Sequence, residues 1–425
     1  MRDTLFNMKR YDTIIVGAGA AGLYCANFLE GGKNLILEKG KRPGLKLLMA
    51  GSGQCNVTHG GSIKDFLTHY GDHGKKIRGV LQRHNNVELC RFLAEKGVPV
   101  HEREDGKVFP QSMKGQDVLD ALLEGIGCEI HYGCNVLGIN VLHADETNCQ
   151  QGMPNEAEAN CGGYLLETTA GQYHCKNLVI AAGGASYPTT GSDGVLTKTL
   201  GDELGLTIED LRPALTPVFV ENYIYGELSG MSFKDVEIRA AGHSMVDDIL
   251  FTFKNLSGPA IINSSRYMKT GDTLTINFMW PMRPEELVAK LKKDFPGNAK
   301  SPQNYMIDEL GLQKRFAKLV SDSLGLDGKK VSQLSGQEIK MLAAELTEKR
   351  FSISGLAGFK EAMATAGGVS LEEISTKTME AKRFPGLYFV GEVLDVDGDT
   401  GGYNLQFAYS SARAAAEHIN TKKTL

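Results

Sequence analysis

The amino-acid sequence predicts an α/β fold, a doubly wound parallel sheet interrupted by a β-rich insertion that carries a small helical part. Three observations predict it. An apolar, β-branched run, Tyr11–Val16, passes directly into Gly17-Ala18-Gly19-Ala20-Ala21-Gly22 and then a helix-compatible stretch, Leu23–Leu29. Two later runs, Leu178–Ala182 and Leu387–Val390, also read as buried strands that end at glycine. Between them the pattern changes, first to apolar–polar alternation over Thr207–Met279, then to helical periodicity from Pro284 to Leu346.

The first of these segments has a ligand-binding order. Gly17 permits a tight turn, Gly19 lets backbone approach a diphosphate, and Gly22 lets the helix pack closely on the strand. Phosphate oxygens then meet free N–H groups at the positive end of the helix. A second strand, Asn34–Leu37, ends at Glu38, placed to accept hydrogen bonds from ribose hydroxyls. Strand, glycines, helix, strand and acid together mark a dinucleotide site. They do not separate NAD from FAD, although the acid disfavours the 2′-phosphate of NADP here.

The next stretch, EKGKRPGLKLLMAGSGQCNVTH (Glu38–His59), is too rich in glycine for a stable helix and suits a longer ligand whose middle must be cradled. Lys46, Asn56 and backbone N–H groups are candidate donors to phosphate or ribitol. Strand ends line the ligand crevice of a doubly wound sheet, so Ala182-Gly183-Gly184 and Gly391-Glu392 belong at one site despite the chain between them.

Asp395, Asp397 and Asp399 alternate as in a calcium loop. An EF-hand loop needs Gly at its sixth position and Glu at its twelfth, and here those are Thr400 and Gln406. The acids are expected to hold a turn instead. Gly401-Gly402 supplies that turn before a helix over Asn404–Ile419, whose positive end can stabilise negative charge on the N1–C2=O edge of a reduced flavin. No metal is expected, because no CxxC pair or HExxH motif occurs.

The middle of the chain reads as half-buried antiparallel strands followed by helices, one of them capped at Ser335. Gly367-Gly368-Val369 returns to the first domain. The expected boundaries are 1–195 with 362–425 for the nucleotide-binding domain, 196–283 with 347–361 for the β-rich insertion, and 284–346 for the helical domain. Residues 145–163 read as a solvated hairpin tip, with Cys149 and Cys161 as incidental thiols. The insertion is expected to close over the ligand, with Tyr187, Thr189, Ser257 and Tyr403 as pocket-lining candidates and no committed acid or base.

Composition narrows the partners. The 425 residues carry a net charge of -5 with 42% hydrophobic and 23% charged residues, which gives no electrostatic ground for nucleic acid or an anionic membrane. The cluster Gly74-Lys75-Lys76-Ile77-Arg78 reads as a solvated face. Eight scattered cysteines point to a reducing compartment. Asp12, Asn27 and the glycines argue against a leader at the basic N-terminus, and no apolar run reaches the ~18–20 residues of a membrane span. A cytoplasmic protein with a small-molecule substrate is expected.

The segments GLKLLMAGSGQCNVTH, GKVFPQSMKGQDVLDAL, AAGGASYPTTGSDG, LSGPAI, AGGVSLEEISTKTMEAKRFPGLYF and GEVLDVDGDTGGYNLQFAYSSA together resemble the BaiN/YhiN-like family of NAD(P)/FAD-dependent oxidoreductases. The resemblance spans nearly the whole chain. It implies bound FAD, a Rossmann-like domain of the glutathione-reductase type, an inserted β-barrel-like domain and a small helical domain. It assigns the diphosphate to Gly17, Gly19, Ala20, Ala21 and Gly22, and the adenosine ribose to Glu38. Lys39, Lys46 and the loop Gly51, Gly53, Gln54, Cys55 and Asn56 would follow the middle of the cofactor, and Val136 would meet the adenine through its backbone. Gly391 and Glu392 would lie by the ribitol, with Gly402, Tyr403, Asn404, Leu405 and Gln406 by the ring. Two positions depart from the family pattern: Gln54 stands where arginine is usual, and Phe253 where histidine is common.

The expected activity is flavin-mediated hydride transfer to or from a small organic substrate. No second strand–GxGxxG–helix unit is visible, so an NAD(P)H donor would have to visit the flavin pocket itself. An oxygen-using oxidase of a small amine or ketone such as aminoacetone, a nicotinamide-only dehydrogenase and a flavin-holding sensor are the alternatives.

Overall fold

The computed structural model describes residues 9–142 and 162–424. The predicted hairpin tip, with Cys149 and Cys161, falls largely outside them. The chain divides into two compact units, Met1–Pro213 with Ala362–Leu425, and Ala214–Glu361.

The first unit is built on a seven-stranded sheet. Lys9–Val16 lies between Asn34–Glu38 and Gly171–Ile180, parallel to both, and Cys128–Tyr132 extends the parallel run beyond Asn34–Glu38. The long strand Gly171–Ile180 has two partners on its other side: antiparallel Gly163–Thr168 along its first half and parallel Leu387–Phe389 along its second. Val136–Leu142 completes the sheet, antiparallel to Gly163–Thr168. Ile14, Ile15, Leu35, Ile36, Leu178, Val179, Ile180 and Phe389 are all fully buried. Each contributes about 1.5–3 kcal/mol of transfer free energy, and burial on both faces explains why these strands read as unbroken apolar runs.

Two helices pack beside this sheet. Ala20–Phe28 follows the glycine turn, and Tyr403–Thr424 closes the chain. They pack together through aromatic edges, with ring centroids 5.4 Å apart for Tyr24–Tyr409 and 5.8 Å for Phe28–Tyr409. Residues 196–213 belong to this unit, because the strand Ile208–Ala214 pairs with Ala364–Val369.

The second unit holds a closed, six-stranded antiparallel barrel. Its order is Val218–Val220, Leu256–Ser257, His243–Phe251, Ser232–Ala240, Thr273–Asn277 and Lys349–Leu356, returning to Val218–Val220. Helices Pro284–Asp294, Pro302–Asp308, Lys314–Ser323 and Gly336–Thr347 belong to the same unit. The Ser335 cap is present: its hydroxyl accepts from Glu338 N–H, and the Glu338 carboxylate accepts from Ser335 N–H. Among the described residues, no helix is long and apolar enough to cross a membrane.

Candidate cofactor-binding site

The glycine turn has the geometry its spacing predicts. Gly17 sits at φ +106°, and a Cβ there would lie 2.4 Å from the carbonyl oxygen of Ala181. At Gly22 a Cβ would lie 2.0 Å from the Gly17 oxygen, so helix and turn touch through backbone. A Cβ on Gly19 would meet nothing within 4 Å. Gly19 is also the N-cap of Ala20–Phe28 and no side chain caps that helix. The helix start therefore keeps backbone donors for an anion.

Glu38 latches this turn. Its Oε2 accepts from Ala18 N–H (2.7 Å) and its Oε1 from Gly40 N–H (2.6 Å). Each carboxylate oxygen has a second lone pair, so acceptance from a ribose hydroxyl remains open. Gly133 N–H donates to Gly40 O and Cys134 N–H to Glu38 O, both at 3.0 Å, which brings the strand beginning at Val136 to the same place.

The distant glycine-ended strand arrives beside this turn. Val390 N–H donates to Ile180 O (3.0 Å), and a Cβ on Gly391 (φ +71°) would lie 2.7 Å from Ala21 Cβ. Glu392 then gathers three donors: Lys46 Nζ at 2.6 Å, Thr365 N–H at 2.9 Å and Ser186 Oγ at 3.1 Å. Lys46 also donates to Ser186 Oγ. Thr365 Oγ1 accepts from Ala185 and Ser186 N–H and fills the space where a Gly184 side chain would stand. Ala182–Gly184 and Gly391–Glu392 are thus at one site. Lys46 and Lys39, the two lysines expected along the cofactor, are paired with Glu392 and with Asp193 (2.6 Å) respectively.

In the loop from Gly51 to Asn56, Gly51, Ser52 and Cys55 have left-handed backbone. Cys55 is fully buried and burial pushes its thiol up to about 12, so it is no thiolate nucleophile. Gln54 Oε1 accepts from the Arg103 guanidinium (2.9 Å), which in turn lies over the Phe109 ring. A guanidinium thereby stands beside the position where the resemblance expects arginine. Asn56 Oδ1 and Ser192 Oγ are buried without a hydrogen-bond partner, and Ser192 Oγ would lie 2.8 Å from a Cβ on Gly183. Orphaned polar atoms at Asn56 and Ser192, together with an uncapped helix start at Gly19, fit a polar, phosphate-bearing ligand such as FAD.

The last helix begins at Tyr403, and the side chains of Asn404 and Gln406 face inward. Asn404 bonds both ways with the Gly398 backbone at 2.8 Å. Gln406, fully buried, accepts from Thr58 Oγ1 (2.6 Å) and donates to His84 O and Ser410 Oγ. Leu405 packs against the core. What Asn404, Leu405 and Gln406 can offer a ring is backbone. Gly402 (φ +98°) has no room for a side chain, since a Cβ would lie 2.4 Å from Thr58 O.

The aspartates hold the turn. Asp395 accepts from Gly367 N–H (3.0 Å) and lies 3.4 Å from His73 Nε2, while Asp399 pairs with His69 Nδ1 at 2.9 Å. Sequence reasoning missed these histidines, although their spacing of four matches that of Asp395 and Asp399. The rings of His69 and His59 cluster on Tyr403: His69 stacks at 4.2 Å and His59 at 5.2 Å between centroids. Among the described residues, no group of three or more His, Cys, Asp or Glu is placed to hold a metal ion. Tyr187 and Thr189 lie in this unit, and Ser257 lies in the barrel unit.

Comparison with known proteins agrees with this architecture. The family described as HI0933-like protein Rossmann domain matches residues 11–418. A protein of Escherichia coli K12 named ribosomal RNA dihydrouridine synthase is 31% identical over 428 residues, covering 98% of this chain and 100% of its own. Its namesake in Haemophilus influenzae Rd is 31% identical, covering 97% and 100%. The 3-dehydro-bile acid delta(4,6)-reductase of Clostridium scindens is 26% identical, covering 95% and 98%.

Proposed function

The chain belongs to the HI0933-like Rossmann family of FAD-binding oxidoreductases, and from that premise we propose that it reduces a carbon–carbon double bond conjugated to a carbonyl, with a uracil ring of ribosomal RNA as substrate. The two reactions named for the relatives share this chemistry. Dihydrouridine is uridine reduced at the double bond beside its C4 carbonyl, and the delta(4,6) double bonds of the bile acid are conjugated to its 3-oxo group. Uracil is preferred because the relatives so named are more similar and match along their full length.

The observation that carries the reading is the approach of Gly391 to Ala21, which joins two segments far apart in sequence into one extended cradle. FAD, when bound, supplies the hydride, with NAD(P)H as its source. The chain's own residues hold and orient. Gly17–Gly22 would take the diphosphate on backbone N–H groups, Glu38 the adenosine ribose, and Asn56 and Ser192 hydroxyls of the ribityl chain. Gly402–Gln406 would turn backbone and the positive helix end toward the anionic edge of the reduced ring.

The net charge of -5 averages over the whole chain, and the expectation of no nucleic acid rested on that average. The helix Gly74–Arg83 exposes Lys75, Lys76, Arg78 and Arg83 on one side, a local surface that suits phosphates.

The test has two stages. Purified protein should absorb near ~450 nm, and anaerobic NADPH should bleach it. Ribosomal RNA lacking dihydrouridine should then restore the colour and yield dihydrouridine on nucleoside mass spectrometry. Recolouring by a 3-oxo-4,6-diene steroid but not by RNA selects the small-molecule reading that the Clostridium relative favours. Recolouring by oxygen alone, with peroxide release, selects an oxidase. Absence of bleaching overturns the NADPH-linked reductase.

A further inference from the structure

We propose that His69, held by Asp399, is the acid that delivers a proton to the substrate carbon α to the carbonyl, an inference that rests on the reductase reading above. His69 Nδ1 lies 2.9 Å from Asp399 Oδ2, with the carboxylate side chain 12% and the imidazole 37% exposed. A mostly buried carboxylate accepts from Nδ1 and fixes it as the N–H of the neutral ring, so Nε2 is the nitrogen that exchanges a proton. Stacking fixes the plane of the ring. Tyr403, the first residue of the last helix, lies 4.2 Å away with an interplanar angle of 14°, and its own ring is buried against the edges of Phe66 and Tyr70.

The other proton carriers nearby are committed elsewhere. His59 has Nδ1 on Gly60 O (2.9 Å) and Nε2 on Asp105 O (3.1 Å). Tyr70 donates its hydroxyl to Tyr403 O, and burial raises both phenols. His84 lies beneath the last helix, 2% exposed, where burial and the charges of Arg413 and Arg83 keep it neutral. His73 Nε2 stands farther from its aspartate, at 3.4 Å. The charged or titratable groups facing His69 are Asp399 from the acidic turn, Asp65 from the preceding turn, and His59 and Tyr403 through their rings.

The step balances. FAD, when bound and reduced, would supply the hydride for the C–H bond at the β-carbon, the double-bond π pair would shift toward the carbonyl, and His69 Nε2 would give the proton that forms the C–H bond at the α-carbon. Water returns a proton to the imidazole. One NAD(P)H and one proton are consumed for each double bond reduced.

Stopped-flow measurement separates the two halves of turnover. In His69→Gln, bleaching by NADPH should stay within about threefold of wild type, while recolouring by ribosomal RNA should slow about a hundredfold or more. The limb of the recolouring pH profile that reports the acid should vanish. FAD affinity, read from quenching of flavin fluorescence, should stay within about threefold, showing that the turn is intact. Asp399→Asn, which keeps the imidazole but removes its anionic partner, should slow recolouring about tenfold or more. If wild type recolours with RNA and His69→Gln recolours equally fast with its pH limb retained, the assignment of His69 is overturned and the reductase reading stands. If wild type bleaches but no unsaturated carbonyl recolours it, the reductase reading fails and the proton donor fails with it.

Discussion

Gly19 and Gly22 are three positions apart and differ in what a methyl group would meet. A Cβ at Gly22 would press on the Gly17 carbonyl, whereas at Gly19 it would meet open space. Gly22→Ala should therefore destabilise the fold by about 1–3 kcal/mol or more, the cost of overpacking a rigid contact. Gly19→Ala should leave the thermal midpoint nearly unchanged yet weaken FAD binding about tenfold, by holding the diphosphate off the backbone donors. Thermal melts and flavin fluorescence separate the two, and equal effects on both readouts would contradict the assigned roles. The turn at Gly17 and the close packing at Gly22 were legible in the sequence because spacing and backbone geometry are local. The inward-facing side chains of Asn404 and Gln406 were not. Their partners, Gly398 for one and Thr58 and His84 for the other, are set by how the last helix docks. The His69–Asp399 pair joins residues 330 positions apart, and no local pattern reports it.

At the scale of elements, the helix Gly74–Arg83 shows how one period serves two purposes. Ile77, Val80 and Leu81 are buried at i, i+3 and i+4, which leaves Lys75, Lys76, Arg78 and Arg83 on the exposed side. If this face meets RNA, Lys75→Glu combined with Arg78→Glu should weaken ribosomal RNA binding and lower its salt dependence by about 0.7–0.9 in log–log slope for each phosphate that is no longer neutralised. Bleaching by NADPH should be unaffected. Unchanged affinity at low salt would remove this helix from the RNA surface. The last helix carries a pH dependence of its own. His84 is buried beneath it, and its pKa falls from 6.5 to about 4, chiefly by burial and then by the nearby Arg413 and Arg83. The folded state thus binds fewer protons than the unfolded state between pH 4 and 6.5, so stability is full above about 6.5 and is lost as pH falls through that window. At about 1.4 kcal/mol for each unit of separation, the drop from 6.5 to about 4 makes the loss on the order of 3 kcal/mol. Denaturant melts across this range should show it, and His84→Gln should flatten the slope.

At the scale of the whole molecule, every residue assigned to the cofactor belongs to Met1–Pro213 or Ala362–Leu425, and the intervening chain has a core of its own. Alternating and helical periods announced that segment, but not the closure of its barrel. Closure depends on Val218–Val220 pairing with Lys349–Leu356, strands from opposite ends of the insertion. Periodicity likewise could not assign residues 196–213, which join the first unit by pairing with Ala364–Val369. A closed barrel leaves no strand edge unpaired, which removes the usual cost of excising a sheet. Phe233, Phe251, Phe278 and Phe316 pack ring against ring within the unit, with Leu287, Leu291, Leu342 and Leu346 buried in the same core. Residues 214–361 expressed alone should therefore unfold in one cooperative transition and bind no FAD, as read by circular dichroism and flavin fluorescence. A broad, non-cooperative melt would show that the barrel depends on the remainder of the chain. Flavin binding by the fragment would move part of the cofactor site into the insertion and overturn its assignment to the first unit.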